Sequence, residues 1–345
     1  MLAEDVDVVI GVDAHTDTHS AAVVSRVGMA LAQTTVAANG AGAGTLVVWA
    51  EQQAPGLRRV WVVDGTRSHG LGLTRHLKAA GETVIEAPRV KGAARRRGGK
   101  SDALDAVHVA RQVLASQHPA EPRCDGDREA LRLLYVCRRH YSDTRTATVN
   151  LFKSLILTAD EDLRDRLRGL STDQQIKRVQ NMTPPAEADT LTRVRLEHLI
   201  ALAAQIADLD RRLADNLREL RTLVAAMCPA LLDQPGVGPV TAAIALTAWS
   251  HKGRLRSEAA YASLAGVNPI PASSGRTVRH RLNRGGDRTL NSAIHIIATS
   301  RRRSHQPTRD YVARRTKEGR TSKEITRCLK RYIARQLFKI MEATP

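Results

Sequence analysis

The sequence predicts an α/β domain followed by a mainly helical region. Two apolar runs rich in β-branched residues, DVVIGVD at 7–13 and RVWVVD at 59–64, each end in an acid and read as buried strands. Helical stretches alternate with such runs through the first third of the chain. After Pro119 and Pro122 the strand signals stop, and apolar residues recur at helical spacing.

After the first strand, SAAVVS at 20–25 and the run at 30–36 extend a meander of strands. Gly40–Gly44 reads as a flexible turn, and Thr45–Gln53 as a helix carrying Leu46, Val47 and Trp49. The strand at 59–64 follows. Gly70–Ala80 reads as a helix, and Thr83–Glu86 as a short strand stopped by Pro88. Ser101 is placed to cap a helix running to Ala115, because its hydroxyl can accept from a first-turn amide. This β-β-β-α-β-α-β-α order fits an α/β layer domain.

Asp127–Leu157 is a long helix with Arg and Lys along one side, and Thr183-Pro-Pro185 is a natural joint. Leu199, Leu202, Ile206, Leu209, Leu213, Leu217, Leu220 and Val224 then recur at alternating threes and fours, with one four-four step. This seam suits a coiled coil that pairs protomers, or equally a core helix of a bundle. Pro229 opens a third region. There LLDQPGVGPVTAAIAL reads as two helices joined at Gly236 and Gly238, a helix-hairpin-helix pattern whose turn amides approach a DNA phosphate. A plain helix–helix turn is the alternative. Arg301–Arg303 and Ser322–Met341 close the chain with basic helices.

The 345 residues suggest about two domains, and 42% hydrophobic content excludes wholesale disorder. No apolar run is long enough to span a bilayer, and Glu4, Asp5 and Asp7 stand where a signal peptide needs positive charge. The expectation is a cytoplasmic protein without a membrane partner. Four scattered cysteines without a CxxC pair exclude a zinc ribbon and argue against a disulfide scaffold. Charge is unevenly placed. Residues 1–87 hold 6 basic and 9 acidic side chains, whereas residues 251–345 hold 22 basic and 6 acidic. A block of that size is the footprint of a phosphate-backbone partner, with a solubility surface or a membrane-surface patch as the blander alternatives.

Asp13 and Asp64 each end an apolar strand, where α/β sheets place their sites. Asp102 and Asp105, spaced i, i+3, share one helix face. Like charges packed this way repel unless a cation lies between them, and hard oxygen ligands select Mg²⁺ or Mn²⁺. Taken singly, each acid is equally at home capping a turn or facing solvent. GGKS at 98–101 falls short of a P-loop, because Arg95 stands where its first Gly belongs and no apolar strand precedes it.

GVDAHTDTHS, VWVVDGTRSHG, GKSDALDA, QPGVGPVTA and AGVNPIPASSGRTVRHRLNRGGDRTLNSAI, in that order, resemble the IS110 family of insertion-sequence transposases, the DEDD recombinases related to the pilin-gene invertase. The resemblance spans nearly the whole chain. It implies a RuvC-like, RNase H-type catalytic domain at 1–120, a helical coiled-coil segment at 121–226 and a C-terminal transposase domain at 227–345. By the same resemblance Asp13, Asp64, Asp102 and Asp105 are the metal-binding acids and Ser274 the nucleophile, with Ser273 a competitor. The second acid is usually Glu, so Asp64 is one methylene short, and the Thr-Gly that usually follows is Thr66-Arg67 here. Arg276, Arg279, Arg281, Arg284 and Arg288 would hold phosphates. The implied partners are donor and target DNA, a structured guide RNA from the element's own ends, and further copies of the chain as a dimer or tetramer. The rival readings are a RuvC-type metal-dependent junction nuclease using water, and a non-catalytic nucleic-acid-binding protein.

Overall fold

A computed structural model describes residues 1–88, 102–272 and 280–344. The chain divides into two compact units, Met1–Arg123 and Cys124–Pro345.

The first unit is built on a mixed sheet. Strands β1 (Val8–Ala14), β2 (Thr18–Ser25), β3 (Ala30–Ala37), β4 (Arg59–Val63) and β5 (Val84–Glu86) lie in the order β3-β2-β1-β4-β5. The first three pair antiparallel, and β1–β4 and β4–β5 pair parallel. Helices α1 (Leu2–Asp5), α2 (Gly40–Gln53), α3 (Leu71–Ala79) and α4 (Asp102–Leu114) complete it. This arrangement fits the RNase H-like expectation. The flexible turn expected at 40–44 is instead the first turn of α2. Asn39 caps it by accepting from the Gly42 amide at 2.9 Å, which offsets the poor helix propensity of the glycines.

The twofold alternation of the strands sorts the core into two faces. Val8, Ile10, Val12, Trp61 and Val63 pack with residues of α2 and α3. Val9, Val60 and Val62 pack with Ala106, Val107, Ala110 and Val113 of α4. Each fully buried valine among them contributes about 1.5–3 kcal/mol. Gly11 lies on the α4 face, and there is no room for anything larger. A Cβ on it would stand 2.1 Å from the Ala106 carbonyl oxygen and 2.7 Å from the Ala110 nitrogen. That close approach seats α4 directly on β1.

The second unit is helical. Helices α5 (Asp127–Leu157), α6 (Glu161–Leu167), α7 (Thr172–Gln180) and α8 (Thr190–Met227) precede α9 (Pro239–Trp249) and α10 (Glu258–Leu264). A two-residue ribbon, β6 (Ile270–Pro271) with β7 (His280–Arg281), leads to α11 (Arg288–Ser304), α12 (Gln306–Lys317) and α13 (Ser322–Ala343). Residues Thr241–Trp249 of α9 are all buried, in a core that α5, α8, α11 and α13 also feed.

The Leu199–Val224 seam is occupied within the chain. Asn216 donates to the Leu134 carbonyl at 2.9 Å, Arg138 donates to the Leu213 carbonyl at 2.8 Å, and Arg145 pairs with Asp210. Partner numbers rise along α5 as they fall along α8, so the two helices run antiparallel. Leu199 and Ile206 are fully buried in one core with Phe152, Leu167 and Val179, while Leu220 and Val224 enter the other with Leu131. Leu199, Ile206, Leu220 and Val224 therefore serve as core of a helical bundle, while Leu202, Leu213 and Leu217 are half-buried. The expectation that Ile206 pairs protomers is corrected: its apolar surface is already covered by its own chain.

Candidate metal centre and nucleic-acid interface

Of the four predicted acids the structure brings Asp13 and Asp102 together, with His15, while Asp64 and Asp105 lie outside that group but near enough for their charges to act on Asp13. Gly11 and Asp13 lie on the α4 face of β1, His15 follows just past the end of that strand, and Asp64 follows Val60 and Val62 just past the end of β4. The two parallel strands are in register there, the Asp64 amide donating to the Val12 carbonyl at 2.9 Å. Because Gly11 meets Ala106 and Ala110, the preceding turn of α4 brings Asp102 beside Asp13 and His15. His15 Nε2 lies 3.1 Å from Asp13 Oδ2 and 3.7 Å from Asp102 Oδ1. The ligand atoms of Asp13, His15 and Asp102 all fall within 4.8 Å of one another.

Asp13 is buried, whereas Asp64 and Asp102 are exposed and Asp105 is half-buried. Burial raises the Asp13 pKa above the ordinary carboxylate value, and the charges of Asp105 and Asp64 push the same way. His15 opposes them, through its charge and its hydrogen bond. Asp64 turns one oxygen back to the Gly65 amide, at 2.7 Å, and has its other oxygen for a further partner. A divalent cation fits this donor set. It would offset the burial of Asp13 and the mutual repulsion of the acids, and carboxylate ligands suit Mg²⁺ or Mn²⁺, with His15 placed to orient Asp13.

Sequence reasoning singled out the four acids and missed His15. The signal was present but weak: His15 is two residues past Asp13, so continuing the alternation one step beyond the end of β1 puts it on the same face. The same rule separates His19, which stands on β2 with Ala21 and Val23 on the opposite, α2-facing side. Its ring is buried, and burial lowers its pKa.

The second unit carries a cleft of about 1560 Å³. Arg281, Arg284 and Arg288 line one side, and Arg327, Lys330 and Arg331 of α13 the other. The first side is shaped by two loops in close contact. Gly286 has φ +89°, and a Cβ there would lie 2.6 Å from the Gly266 nitrogen and from the Leu264 carbonyl oxygen. Asp287 then caps α11 by accepting from the Thr289 and Leu290 amides, which sets Arg288 at the cleft edge. The other side is fixed by Glu258, which accepts from Arg331 at 2.7 Å and Arg335 at 2.9 Å. The Arg331 hydrogen bond is the main reason that the Glu258 pKa falls to about 2. Lys330 is half-buried, which lowers its pKa, and donates to Asn291 at 2.5 Å. Ser273, Ser274, Arg276 and Arg279 lie outside the described residues, as does Ser101. Pro271 pairs with His280 across the ribbon, and Pro269 and His280 line the cleft.

A family profile for transposases of the IS110 DEDD type matches residues 10–159, and one for the transposase IS116/IS110/IS902 family matches residues 228–313. The chain belongs to the IS110/IS116 transposase family. It is 26% identical over 359 residues to the insertion element IS116 44.8 kDa protein of Streptomyces clavuligerus, covering 90% of this chain and 88% of that protein. It is 32% identical over 160 residues to the insertion element IS110 43.6 kDa protein of Streptomyces coelicolor, covering 46% of this chain and 35% of that one.

This is an insertion-sequence transposase, and its family implies cutting and rejoining of DNA. The first matched stretch contains Asp13, Asp64, Asp102 and Asp105. The second contains the Gly236–Gly238 turn and the ribbon but stops short of α13. In the transposase that turn departs from the expected hairpin of two helices. The first helix is reduced to a 3-10 turn at Pro229–Leu231. Gly236 has φ +74°, and a Cβ on it would lie 3.1 Å from the Ile297 carbonyl oxygen of α11. The Val237 amide donates to the Gln234 carbonyl and the Gly238 amide to Thr241 Oγ1, both at 3.0 Å. Arg301, expected as part of a basic surface, is buried, and it donates to the Pro235 carbonyl at 2.7 Å, pinning the turn. No helix among the described residues is long and apolar enough to cross a membrane.

Proposed function

We propose that this transposase cuts and rejoins donor and target DNA through a covalent phosphoserine intermediate at Ser274, assisted by Mg²⁺ or Mn²⁺ held by Asp13, Asp64, Asp102 and Asp105. The observation that carries the metal half of this reading is the convergence of Asp13, buried at the end of β1, with His15 just past that strand and Asp102 at the start of α4. When bound there, a divalent cation supplies electrostatic stabilisation of the charge that builds on a phosphodiester in transfer. The acids hold the cation, and His15, hydrogen-bonded to Asp13, orients that carboxylate.

The Ser274 oxygen attacks the scissile phosphorus and the bond from phosphorus to the 3′ oxygen breaks. The products are a 5′-phosphoserine link and a free 3′-hydroxyl, with the serine proton balanced by protonation of the leaving oxygen. Attack by the 3′-hydroxyl of another strand reverses the step, restores the serine and reforms a phosphodiester. The number of phosphodiester bonds is unchanged, so no nucleotide hydrolysis is needed. The cationic side chains Arg281, Arg284 and Arg288, with Arg276 and Arg279, hold phosphates near the serine.

A structured guide RNA and a dimer or tetramer belong to this reading through the family resemblance. So does the division into a catalytic segment at 1–120, a helical connector at 121–226 and a serine-bearing segment at 227–345. The test is a suicide DNA substrate that prevents religation. Wild type should yield a protein–DNA species that survives denaturant, with the phosphate mapped to Ser274, and Ser274→Ala should yield none. Linkage to Ser273 would shift the nucleophile by one residue. Metal-dependent cleavage without any linkage would replace the serine mechanism by a water-using nuclease.

A further inference from the structure

We propose that the cleft between the β7–α11 segment and α13 binds an unpaired stretch of DNA, one of whose bases stacks on Tyr332. Aromatic residues are scarce in this chain, with five Tyr, three Trp and two Phe. All ten lie among the described residues, and Tyr332 alone is exposed, at 53%. It stands on α13 and lines the cleft among Arg327, Lys330, Arg331 and Arg335.

Two features make the ring a platform. Tyr332 packs edge to face with Tyr311, the centroids 6.0 Å apart and the planes at 89°. Arg314 in turn lies over the Tyr311 ring at 5.6 Å. The ring is therefore braced from within the protein while over half its surface is open. The cleft offers a ligand two things, cationic side chains and an open aromatic face, beside apolar residues such as Val267 and Leu282. A nucleotide uses both, its phosphate meeting the guanidinium groups and its base covering the ring.

The ligand is unpaired because a base within a duplex already has both faces stacked on its neighbours. The opposite wall supplies phosphate contacts that are free to form: Arg281, Arg284 and Arg288 have no ion-pair partner among the described residues. On α13, by contrast, Arg331 and Arg335 are held by Glu258 and form the rigid side. DNA is chosen over RNA because β7 ends the segment that contains Ser274. In this respect the inference rests on the reading that Ser274 acts on DNA.

The test is a binding measurement on the full chain with Ser274→Ala, so that no chemistry occurs. The ligands are single-stranded DNA, the matching duplex and single-stranded RNA of one sequence, the first and last carrying 2-aminopurine. Single-stranded DNA should bind with quenching of the 2-aminopurine. Adding Tyr332→Ala should lower that affinity about tenfold and abolish the quenching, with duplex affinity unchanged. Tyr332→Phe should preserve both, because it keeps the ring. The inference is overturned if Tyr332→Ala binds single-stranded DNA normally, or if it weakens single strand and duplex equally. It is overturned too if the dependence appears with RNA only, which would make the guide RNA the occupant. None of these readouts uses the serine hydroxyl, so a failed stacking test and a failed adduct test are separate results.

Discussion

The two units concentrate opposite charges by different means. In the Met1–Arg123 unit Asp13 and Asp102 come together because α4 packs on the face of β1 that carries Gly11 and Asp13, although the two elements are far apart in sequence. In the Cys124–Pro345 unit the cationic cleft joins Arg281–Arg288 to Arg327–Arg335, segments separated by two whole helices. Both arrangements need tertiary packing, but in the first the alternation of β1 and the turn of α4 already say which side chains share a face, whereas nothing local marks the face of α13 that meets the cleft. The acids need near-atomic convergence to hold an ion, whereas phosphate contacts tolerate a broad cationic surface.

The sharpest way to break this contrast is at the acids. Asp13→Asn or Asp102→Asn should reduce recombination by on the order of 10³-fold or more, with circular dichroism unchanged. Normal recombination by either variant would remove it from the metal set. Ile206→Asp addresses the seam. A charge placed at a fully buried site should cost upwards of about 3 kcal/mol in denaturant unfolding. A variant of native stability that changes only its oligomeric state would show the seam to be an interface after all.

Gly11→Ala connects fold to site. Overpacking against Ala106 and Ala110 should cost about 1–3 kcal/mol in thermal unfolding and, by displacing α4 from β1, weaken metal binding as well. Loss of stability with metal affinity intact would mean that α4 need not sit on β1 to hold the acids. The mildest change is His15→Gln, which removes the imidazole while keeping a polar group. Metal affinity should fall about ten- to 100-fold, read by calorimetric titration. Affinity equal to wild type would make His15 a bystander.

Much of the first unit was legible in the sequence. DVVIGVD and RVWVVD could only bury their apolar residues as strands, and the Asp102, Asp105 spacing fixed one helix face. The start of α2 at Gly40 was hidden because glycine reads as a turn, while the Asn39 cap that offsets it is a single residue. His15 was overlooked because a lone histidine carries no signal until the strand face is followed beyond Asp13. In the second unit the heptad-like spacing picked out most of the buried face of α8, though Leu202, Leu213 and Leu217 are half-buried and Ala203 and Asn216 are buried beside it. It could not tell a second chain from α5, since both present the same apolar partner. The part of α13 in the cleft was invisible for a similar reason: a basic helix face looks the same whether it faces solvent or a cavity.

The proposed metal centre belongs to residues of the first unit alone, independent of the cationic cleft. Mn²⁺ titration followed by loss of the free-ion electron paramagnetic resonance signal measures this directly on full-length variants. Wild type and Arg284→Ala/Arg288→Ala should bind Mn²⁺ alike, and Asp13→Asn should bind it at least about tenfold more weakly. Equal binding by Asp13→Asn and wild type, or loss of binding in the arginine variant, would contradict it.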